Sequence, residues 1–377
     1  MAQLVARLVR NEKVGGSNPP SSTGETLARP GRRPETARVS SFPGTFPRGR
    51  RPCLRPDVDV LEAVPSPRAR PARRTYPGDV TLTELVPVPG GTFRMGSDRH
   101  YPEEGPAHDR QVEPFLLERH AVTNAQFAAF VADTGYVTVA ERPLDPADFP
   151  GADPADLVPG GLVFTPTAGP VDLRDWRQWW RWQPGASWRA PQGPGSDVDD
   201  RPDHPVVLVA FEDASAYAGW AGRRLPTEAE WERAARGGLD DAEYAWGDEL
   251  APGGRVMANT WQGRFPYLDE GWGGTSPVGS YDPNGYGLVD LVGNTWEWTA
   301  DTFTPRHVVP GTRGPDAGGR PNLLAPTTSP EVLRVTKGGS YLCAPEYCRR
   351  YRPAARSAQS DDSATTHLGF RCAAVAP

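Results

Sequence analysis

Two stretches of the chain carry apolar residues at helical spacing between a polar start and a glycine stop. In "TNAQFAAFVADTG", Thr123 occupies the N-cap position and Gly135 follows the last apolar turn. In "LPTEAEWERAARGG", Thr227 and Glu230 have the spacing of a capping box, and Gly237 ends the pattern. The pattern therefore predicts two helices, one in each stretch.

Outside these helices, short apolar runs separated by glycine and proline dominate from Asp79 onward. The run "VTLTELVPVPGGTFRMGSD" predicts two strands on either side of Pro89-Gly90-Gly91. The chain has no G-x-G-x-x-G after a strand, no P-loop lysine motif and no regular alternation of strand and helix. These features exclude the nucleotide-binding α/β folds and indicate a domain in which loops dominate.

Residues 137–204 form a long irregular stretch rich in Pro, Gly and Asp. It contains five tryptophans, Trp176, Trp179, Trp180, Trp182 and Trp188. In one interpretation these rings cover a core that is short of regular secondary structure. In the other they form the aromatic wall of a binding cleft.

Residues 1–75 differ in composition from the rest of the chain. They hold no Trp or Tyr, and 14 Arg and one Lys against six acidic residues give a net charge of about +9. Such a segment has little apolar surface to bury, which predicts a disordered, Arg- and Pro-rich tail before a single domain over residues 76–377. The opening "MAQLVARLVRNEKVGGSNPPSST" resembles a translated transfer-RNA gene, so we expect either a start codon assigned too far upstream or a genuine basic linker.

Residues 76–377 carry a net charge of about −15, which disfavours nucleic acid and suits basic peptides or cations. No apolar run approaches the roughly 18 residues of a membrane span, so we expect a soluble protein. Four cysteines in 377 residues are too few for a disulfide scaffold. Their number indicates a reducing compartment.

Two of the four cysteines, Cys343 and Cys348, stand five positions apart in "GGSYLCAPEYCRRYRPAARS". A structural zinc site needs about four Cys or His ligands, and no second pair is nearby. A local disulfide, two inert buried thiols and a soft monovalent ion such as Cu(I) all stay open, since two thiolates suit a soft metal of low coordination number. The nearby Arg349, Arg350 and Arg352 should favour ionisation of both thiols.

A family resemblance runs from about Val86 to Ala373. Its blocks occur in the order seen in the formylglycine-generating enzyme (sulfatase-modifying factor) family: "GGTFRMGSD", "HAVTNAQFAAFV", "HPVVLVAFEDASAYAGWAGRRLPTEAEWERAARGG", "NTWQGRFP", "PNGYGLVDLVGNTWEWTAD", "KGGSYLCAPEYCRRYRPAARS" and "LGFRCA". Only the cysteine block is specific, because the blocks before it identify a broader superfamily. The resemblance implies an α+β domain with the formylglycine-generating-enzyme fold, a variant of the C-type-lectin-like fold with low regular secondary structure.

The resemblance also implies an enzyme that uses dioxygen to convert one cysteine in the C-x-P-x-R motif of an unfolded sulfatase polypeptide to Cα-formylglycine. Cys343 and Cys348 correspond to the family's copper pair, which makes Cu(I) the implied cofactor and dioxygen the co-substrate. The other implied active-site residues are the hydroxyl groups of Ser340 and Tyr347, the pocket wall Trp296 and the countercharge Arg350. For these four residues, plain packing or a structural salt bridge is the alternative.

Two clusters match calcium sites of the family. The first is Asp290, Gly293, Thr295 and Glu297 in "DLVGNTWEW", and the second is Asn259, Thr260, Glu270 and Trp272. Carboxylates combined with backbone carbonyls are the hard oxygen ligands that calcium prefers. Without the resemblance, Glu297 is interpreted as a buried glutamate that pairs with an arginine.

The chain departs from the family pattern at several positions. Secreted members use extra disulfides, but the matching positions here are Ala218, Ala235 and Pro353, which leaves Cys372 without a partner. This departure supports a cytoplasmic enzyme, which we expect to be a monomer. His367 stands where an asparagine is common, which puts one substrate contact in doubt.

Two functions of other classes compete with this interpretation. A related non-haem iron enzyme that forms sulfoxides needs a histidine-rich iron site, and the six histidines of this chain are scattered. A non-catalytic lectin-like binding or accessory module would have no use for two thiols at this spacing. The sequence does not identify which sulfatases would be modified.

Overall fold

The computed structural model of the chain describes residues 81–149, 151–309 and 332–377. The predicted tail, residues 1–75, and Cys53 lie outside the described residues. Within them there are three α-helices, α1 (Asn124–Thr134), α2 (Phe211–Trp220) and α3 (Glu228–Arg236). The strands β1 to β13 are, in chain order, Leu85–Val88, Gly91–Met95, His108–Val112, Phe115–Glu118, Gly160–Phe164, Trp180–Pro184, Gly263–Arg264, Leu268–Asp269, Trp296–Thr302, Leu333–Lys337, Arg356–Ser360, Leu368–Gly369 and Ala373–Val375.

Local capping chemistry sets the ends of α1 and α3. The Thr123 side chain accepts a hydrogen bond from the Gln126 backbone, and the Gln126 side chain accepts one from Thr123, so a capping box starts α1. Thr227 and Glu230 make the same arrangement at the start of α3. Both helices end at a glycine with positive φ, 68° at Gly135 and 58° at Gly237. Both predicted helices are therefore confirmed.

Helix α2 has no counterpart in the predictions. Its N-cap residue is Ala210, whose side chain cannot cap a helix, and the Asp213 carboxylate accepts the Ala210 N–H instead at 2.8 Å. Asp213 is fully buried, and its second oxygen accepts from the Val139 amide at 3.0 Å. The bond from Ala210 to Asp213 is local, and the bond from Val139 ties the same carboxylate to a distant segment. The start of this helix carries no capping signal of the usual kind, because Ala210 stands where Ser, Thr, Asp or Asn is preferred.

The strands form small sheets with long-range pairing. A four-stranded sheet has the order β11-β10-β9-β12, a three-stranded sheet has the order β1-β4-β13, and β2-β3, β5-β6 and β7-β8 form pairs. The two strands predicted around Pro89-Gly90-Gly91 are confirmed as β1 and β2. They do not pair with each other, since β1 pairs with β4 and β2 with β3. The result is an α+β domain with little regular secondary structure, as predicted.

The stretch predicted to be irregular, residues 137–204, contains one regular element. Strands β5 and β6 pair antiparallel across it, with Gly160 opposite Pro184 and Phe164 opposite Trp180. The remainder consists of short 3₁₀ turns and loops. The paired strands carry Trp180 toward the residues that follow β10, where the cysteine pair lies.

Buried ion pairs connect segments that are distant in the sequence. The Lys337 ammonium on β10 lies 3.0 Å from Glu232 of α3, and Arg236 binds the other carboxylate oxygen of Glu232 at 2.7 Å. That same oxygen accepts the Gly96 amide at 2.8 Å. Lys337 and Glu232 are fully buried. A charge placed in a protein interior is tolerated only when it is paired in this way.

No helix in the described ranges is long and apolar enough to cross a membrane.

We predict that Lys337→Met lowers the free energy of unfolding by about 3–5 kcal/mol, the usual cost of breaking a buried ion pair. Urea denaturation of the folded protein measures this quantity. The control is Arg94→Met, which removes a surface ion pair whose nitrogen and oxygen lie 3.5 Å apart and whose side chains are 45% and 75% exposed. It should cost less than about 1 kcal/mol. Equal effects of the two substitutions would contradict a structural role for the buried network.

Candidate active site

A tight loop after β10 brings the two cysteine sulfurs together. The Cys343 amide bonds to the Ser340 carbonyl at 2.9 Å, and the Cys348 amide bonds to the Ala344 carbonyl at 2.8 Å. The loop starts at Gly339, which has a φ of 72° and where a Cβ would lie 2.9 Å from the Arg350 carbonyl oxygen. The two sulfurs are 3.0 Å apart and unbonded, since a disulfide is about 2.05 Å long. The pair is therefore held in contact in its reduced state.

The two thiols differ in acidity. The hydrogen bond from the Cys343 thiol, with further help from Arg350, lowers the pKa of Cys348 to about 6. Burial, together with the proton shared with Cys348, raises the pKa of Cys343 well above its usual value. These surroundings favour ionisation of Cys348, as predicted, and disfavour ionisation of Cys343. At neutral pH the pair consists of one thiolate and one thiol, because two adjacent negative charges in the interior would repel each other.

Arg350 is the cation that faces the thiolate of Cys348. Its guanidinium is 1% exposed, binds the Glu103 carboxylate at 2.6 Å and lies 3.8 Å from the centre of the Tyr101 ring. The Tyr101 hydroxyl accepts the Arg349 amide at 3.1 Å. Tyr101 and Glu103 belong to a segment more than 240 residues earlier in the sequence. Sequence reasoning missed both residues because no local pattern connects them to the cysteines.

The cysteine pair lies at a cavity of about 40 Å³, which is enough for a few water-sized molecules. Four of its lining residues, Ser340, Tyr347, Trp296 and Arg350, were named from the sequence together with the cysteines, and the structure brings all six together. Sequence reasoning missed four further lining residues, two apolar and two polar. They are Phe265, Leu342, Ser357 and Gln359.

Aromatic rings form one wall of this cavity. Tyr347 stacks on Phe265 with ring centres 4.5 Å apart and planes at 4°, and Trp179 meets Tyr347 edge to face at 5.3 Å. Trp179 and Trp180 are buried and line the cavity, whereas Trp188 is buried 5.1 Å from Phe127 in a different part of the core. The tryptophan-rich stretch therefore both covers the core and supplies the wall.

Ser340 connects the cysteine loop to His367. Its amide donates to the Cys343 sulfur at 3.4 Å, and its hydroxyl oxygen lies 3.3 Å from Nδ1 of His367. The His367 ring also meets Trp180 edge to face at 4.8 Å. Burial lowers the pKa of His367 to about 3, so the imidazole is neutral at physiological pH. The residue that departs from the family pattern thus lies in the pocket, as an uncharged polar group.

In the first predicted calcium cluster, Glu297 is already paired. Its two carboxylate oxygens accept from Arg371 at 2.7 and 2.8 Å, and one of them also accepts from the Trp231 indole N–H at 2.7 Å. This is the arginine-paired arrangement that residue chemistry alone suggested. Asp290 has a φ of 54° and accepts the Gly279 amide, and burial raises the pKa of its carboxyl group to about 6.

The residues of the second predicted calcium cluster flank the β7–β8 pair, with Asn259 buried and Thr260 half-buried. The Asn259 side chain donates to the Gly274 carbonyl at 3.0 Å, and the Thr260 hydroxyl accepts from Gln262 at 3.0 Å. Glu270 is exposed, and the side chain of Trp272 is 52% exposed. Across the described part of the chain, no three His, Cys, Asp or Glu side chains converge in a way that would hold a metal ion. A cation at either cluster would therefore depend on backbone carbonyls.

Comparison with known proteins shows the family to which the chain belongs. A family model described as "Sulfatase-modifying factor enzyme 1-like domain" matches residues 72–376. The chain is 64% identical over 292 residues to a formylglycine-generating enzyme of Mycobacterium tuberculosis, covering 76% of this chain and 96% of the relative. It is 50% identical over 301 residues to a formylglycine-generating enzyme of Thermomonospora curvata, covering 76% and 92%.

Among solved structures, PvdO from Pseudomonas aeruginosa has a similar fold, with a TM-score of 0.51 and 24% identity, covering 78% of this chain and 95% of that one. The fold and the site therefore define an α+β protein of the formylglycine-generating-enzyme type. The chain belongs to the sulfatase-modifying factor enzyme 1-like family.

We predict that, among the three cysteines in the described residues, iodoacetamide labels Cys348 first, because the thiolate is the nucleophile. The labelling rate should rise with pH through a midpoint near 6, as the thiolate fraction of Cys348 grows. Cys372, whose pKa burial raises well above its usual value, should stay unlabelled in the folded protein. Peptide mapping by mass spectrometry measures each rate. In Cys343→Ala the midpoint should move upward, since the hydrogen bond to Cys348 is lost, and an unchanged midpoint would contradict the shared proton.

Proposed function

We propose that the protein is a copper-dependent oxidase that converts the cysteine of a C-x-P-x-R motif in sulfatase polypeptides to Cα-formylglycine. The family and the printed names of its relatives support the substrate class. The observation that carries the proposal is the contact between Cys343 and Cys348, 3.0 Å apart at the end of an aromatic-walled cavity. Two adjacent reduced thiols at a pocket are a site for chemistry rather than for packing alone.

The donor set fits Cu(I). Two sulfurs are in contact, and no third His, Cys, Asp or Glu among the described residues converges with them to complete a tetrahedral zinc site. Soft thiolate ligands of this kind select Cu(I). When bound by Cys343 and Cys348, copper would supply the activation of dioxygen.

The chain itself contributes charge and shape. Arg350 balances the thiolate charge of Cys348, and the rings of Trp296, Tyr347 and Trp179 form apolar walls of the cavity. The hydroxyl of Ser340, held beside His367, can donate a hydrogen bond to a small oxygen-containing molecule in the cavity. A cavity of about 40 Å³ leaves room for dioxygen but not for a second large substrate.

The reaction balances with an external thiol reductant. The substrate CH₂SH group loses two electrons and two protons to become a thioaldehyde, and water converts the thioaldehyde to the aldehyde with release of hydrogen sulfide. Reduction of dioxygen to water takes four electrons, so the reductant supplies the other two. Because thiols serve both as the reductant and as the metal ligands, we place the enzyme in the reducing environment of the cytoplasm. We also propose that it is a monomer. The three cysteines in the described part of the chain are free, as such a compartment requires.

We further propose that Ca²⁺ binds at the Asp290 cluster through the Asp290 carboxylate and backbone carbonyls of Gly293 and Thr295. Asp290 is a buried carboxylate whose pKa burial raises to about 6, and a neighbouring cation would stabilise its ionised form. The Glu297 carboxylate would keep its pairing with Arg371. A second calcium candidate flanks the β7–β8 pair and consists of Asn259, Thr260, Glu270 and Trp272.

We predict that Cys343→Ser and Cys348→Ser each abolish both tight Cu(I) binding and aldehyde formation, since a hydroxyl is a poor ligand for a soft ion. A Cu(I) competition titration measures the first property. The second is the mass loss when CH₂SH becomes CHO in a C-x-P-x-R peptide incubated with Cu(I), oxygen and a thiol reductant. Cys372→Ser is the matched control, because Cys372 is buried outside the pocket, and it should keep both properties. Near-normal turnover by either pocket variant without copper would refute the proposal.

We predict that a calcium chelator lowers the melting temperature, because an ion that binds only the folded state stabilises it. At about 100 times its Kd, such an ion contributes about 2.7 kcal/mol. Differential scanning calorimetry with and without the chelator measures the shift. Asp290→Ala should melt lower than the unchanged protein and no longer respond to the chelator. If the unchanged protein melts at the same temperature in both conditions, calcium does not stabilise it at the Asp290 cluster.

A further inference from the structure

Three aromatic rings form a column that leads from the cysteine loop toward the surface. The Trp246 and Tyr244 rings are 5.2 Å apart with planes at 6°, and the Tyr244 and Tyr351 rings are 6.1 Å apart with planes at 11°. Tyr351 is 2% exposed, whereas Tyr244 and Trp246 are half-buried. The inner end of the column thus lies in the interior and the outer end reaches solvent.

The inner end of the column belongs to the same apolar cluster as the cysteine pair. Cys343 and Tyr351 are buried members of that cluster, and Tyr244 and Cys348 pack against it. Tyr351 also follows Cys348 by only three residues in the chain. Tyr351 also packs against the start of the cysteine loop, since a Cβ at Gly339 would lie 3.0 Å from the Tyr351 backbone nitrogen. Burial raises the pKa of the Tyr351 hydroxyl, and a negative charge at Cys343 raises this pKa further, as expected for groups that lie near each other.

A second set of aromatic contacts near the pair does not extend outward through further rings. Tyr347 is itself half-buried, but the rings that it contacts, Phe265 and Trp179, are both buried. Phenylalanine is also far harder to oxidise than tyrosine or tryptophan. The column that starts at Tyr351 differs from this second set. It continues through Tyr244 to the partly exposed Trp246, and all three of its rings can be oxidised.

We propose that Trp246, Tyr244 and Tyr351 form a route for one-electron transfer between the Cys343–Cys348 pair and the protein surface. Near-parallel rings in contact give the short, direct steps that such transfer needs, and each of the three side chains can give up and regain an electron. The route does not depend on the proposed function. If that function holds, the route offers a path for reductant electrons while a peptide covers the pocket.

Electrons and protons balance along the column when one electron leaves the sulfur pair. A diffusing one-electron oxidant, the azidyl radical, takes an electron from Trp246 and becomes azide, and the indole loses its proton. Tyr244 restores Trp246 with an electron and a proton, and Tyr351 restores Tyr244 in the same way. The sulfur pair then gives one electron to Tyr351, and the Cys343 thiol proton follows it. The pair is left as a disulfide radical anion, and one proton has been released to solvent.

Pulse radiolysis of the reduced, copper-free protein in azide solution tests the route. We expect the indolyl radical to decay into tyrosyl radical and then into disulfide radical anion, at a rate that does not depend on protein concentration. Tyr244→Phe should abolish the sulfur signal, because it keeps the ring but removes the oxidisable group. Trp246→Phe, at the half-buried outer end, should reduce the signal as well. It serves as the second variant if Tyr244→Phe does not fold, as judged by thermal melting.

The matched control is Trp220→Phe. Trp220 is also half-buried and contacts a tyrosine, Tyr217, at 5.4 Å, but Tyr217 is surrounded by Phe127, Phe130 and Phe370. This variant should keep the sulfur signal. The proposal is overturned if the unchanged protein forms no disulfide radical anion, or if the folded column variants form it at the rate of the unchanged protein. These readouts need no copper and no peptide turnover, so failure here is distinct from failure of the oxidase proposal.

Discussion

The ion pair between Arg350 and Glu103 connects the stability of the domain to the chemistry of its pocket. A guanidinium that is 1% exposed must be neutralised, and Glu103 does this at 2.6 Å from a segment that is remote in the sequence. Other buried cations follow the same rule, with the pairs Arg352–Glu104, Arg356–Glu228, Arg371–Glu297 and Lys337–Glu232. In a fold with short strands and few helices, these pairs connect segments that backbone ladders do not join, such as β10 and β11 with α3.

The same guanidinium shapes the reactivity of the cysteine pair. Arg350 and the Cys343 thiol both stabilise the Cys348 thiolate, while burial keeps Cys343 protonated. The Cys348 thiol thus loses its proton readily, whereas the Cys343 thiol does not. A metal bound by both sulfurs would have to displace the second proton, so its affinity should increase with pH. Arg350 therefore affects both the charge of the metal-free cysteine pair and the ability of its two sulfurs to bind a metal.

Two groups of aromatic rings lie near the cysteine pair, and they differ in exposure. Tyr347, Phe265 and Trp179 line the cavity, where Phe265 and Trp179 are buried and Tyr347 is half-buried. Tyr351 is buried and contacts the half-buried Tyr244, and Tyr351 and Trp246 border a separate cavity. The first group therefore shapes the cavity itself, whereas the second connects the cysteine loop with the surface.

The sequence by itself determined the features whose causes are local. The capping residues Thr123 and Thr227 predicted α1 and α3, and the spacing of Cys343 and Cys348 predicted a paired-thiol site, because each signal lies within one or two turns of chain. The tertiary structure decided the rest. It supplied Glu103 as the partner of Arg350, tied the buried Asp213 carboxylate of α2 to the distant Val139 amide, and assigned the Glu297 carboxylate to Arg371. It also made the two thiols unequal, since burial and the distance between charges depend on which distant segments come into contact.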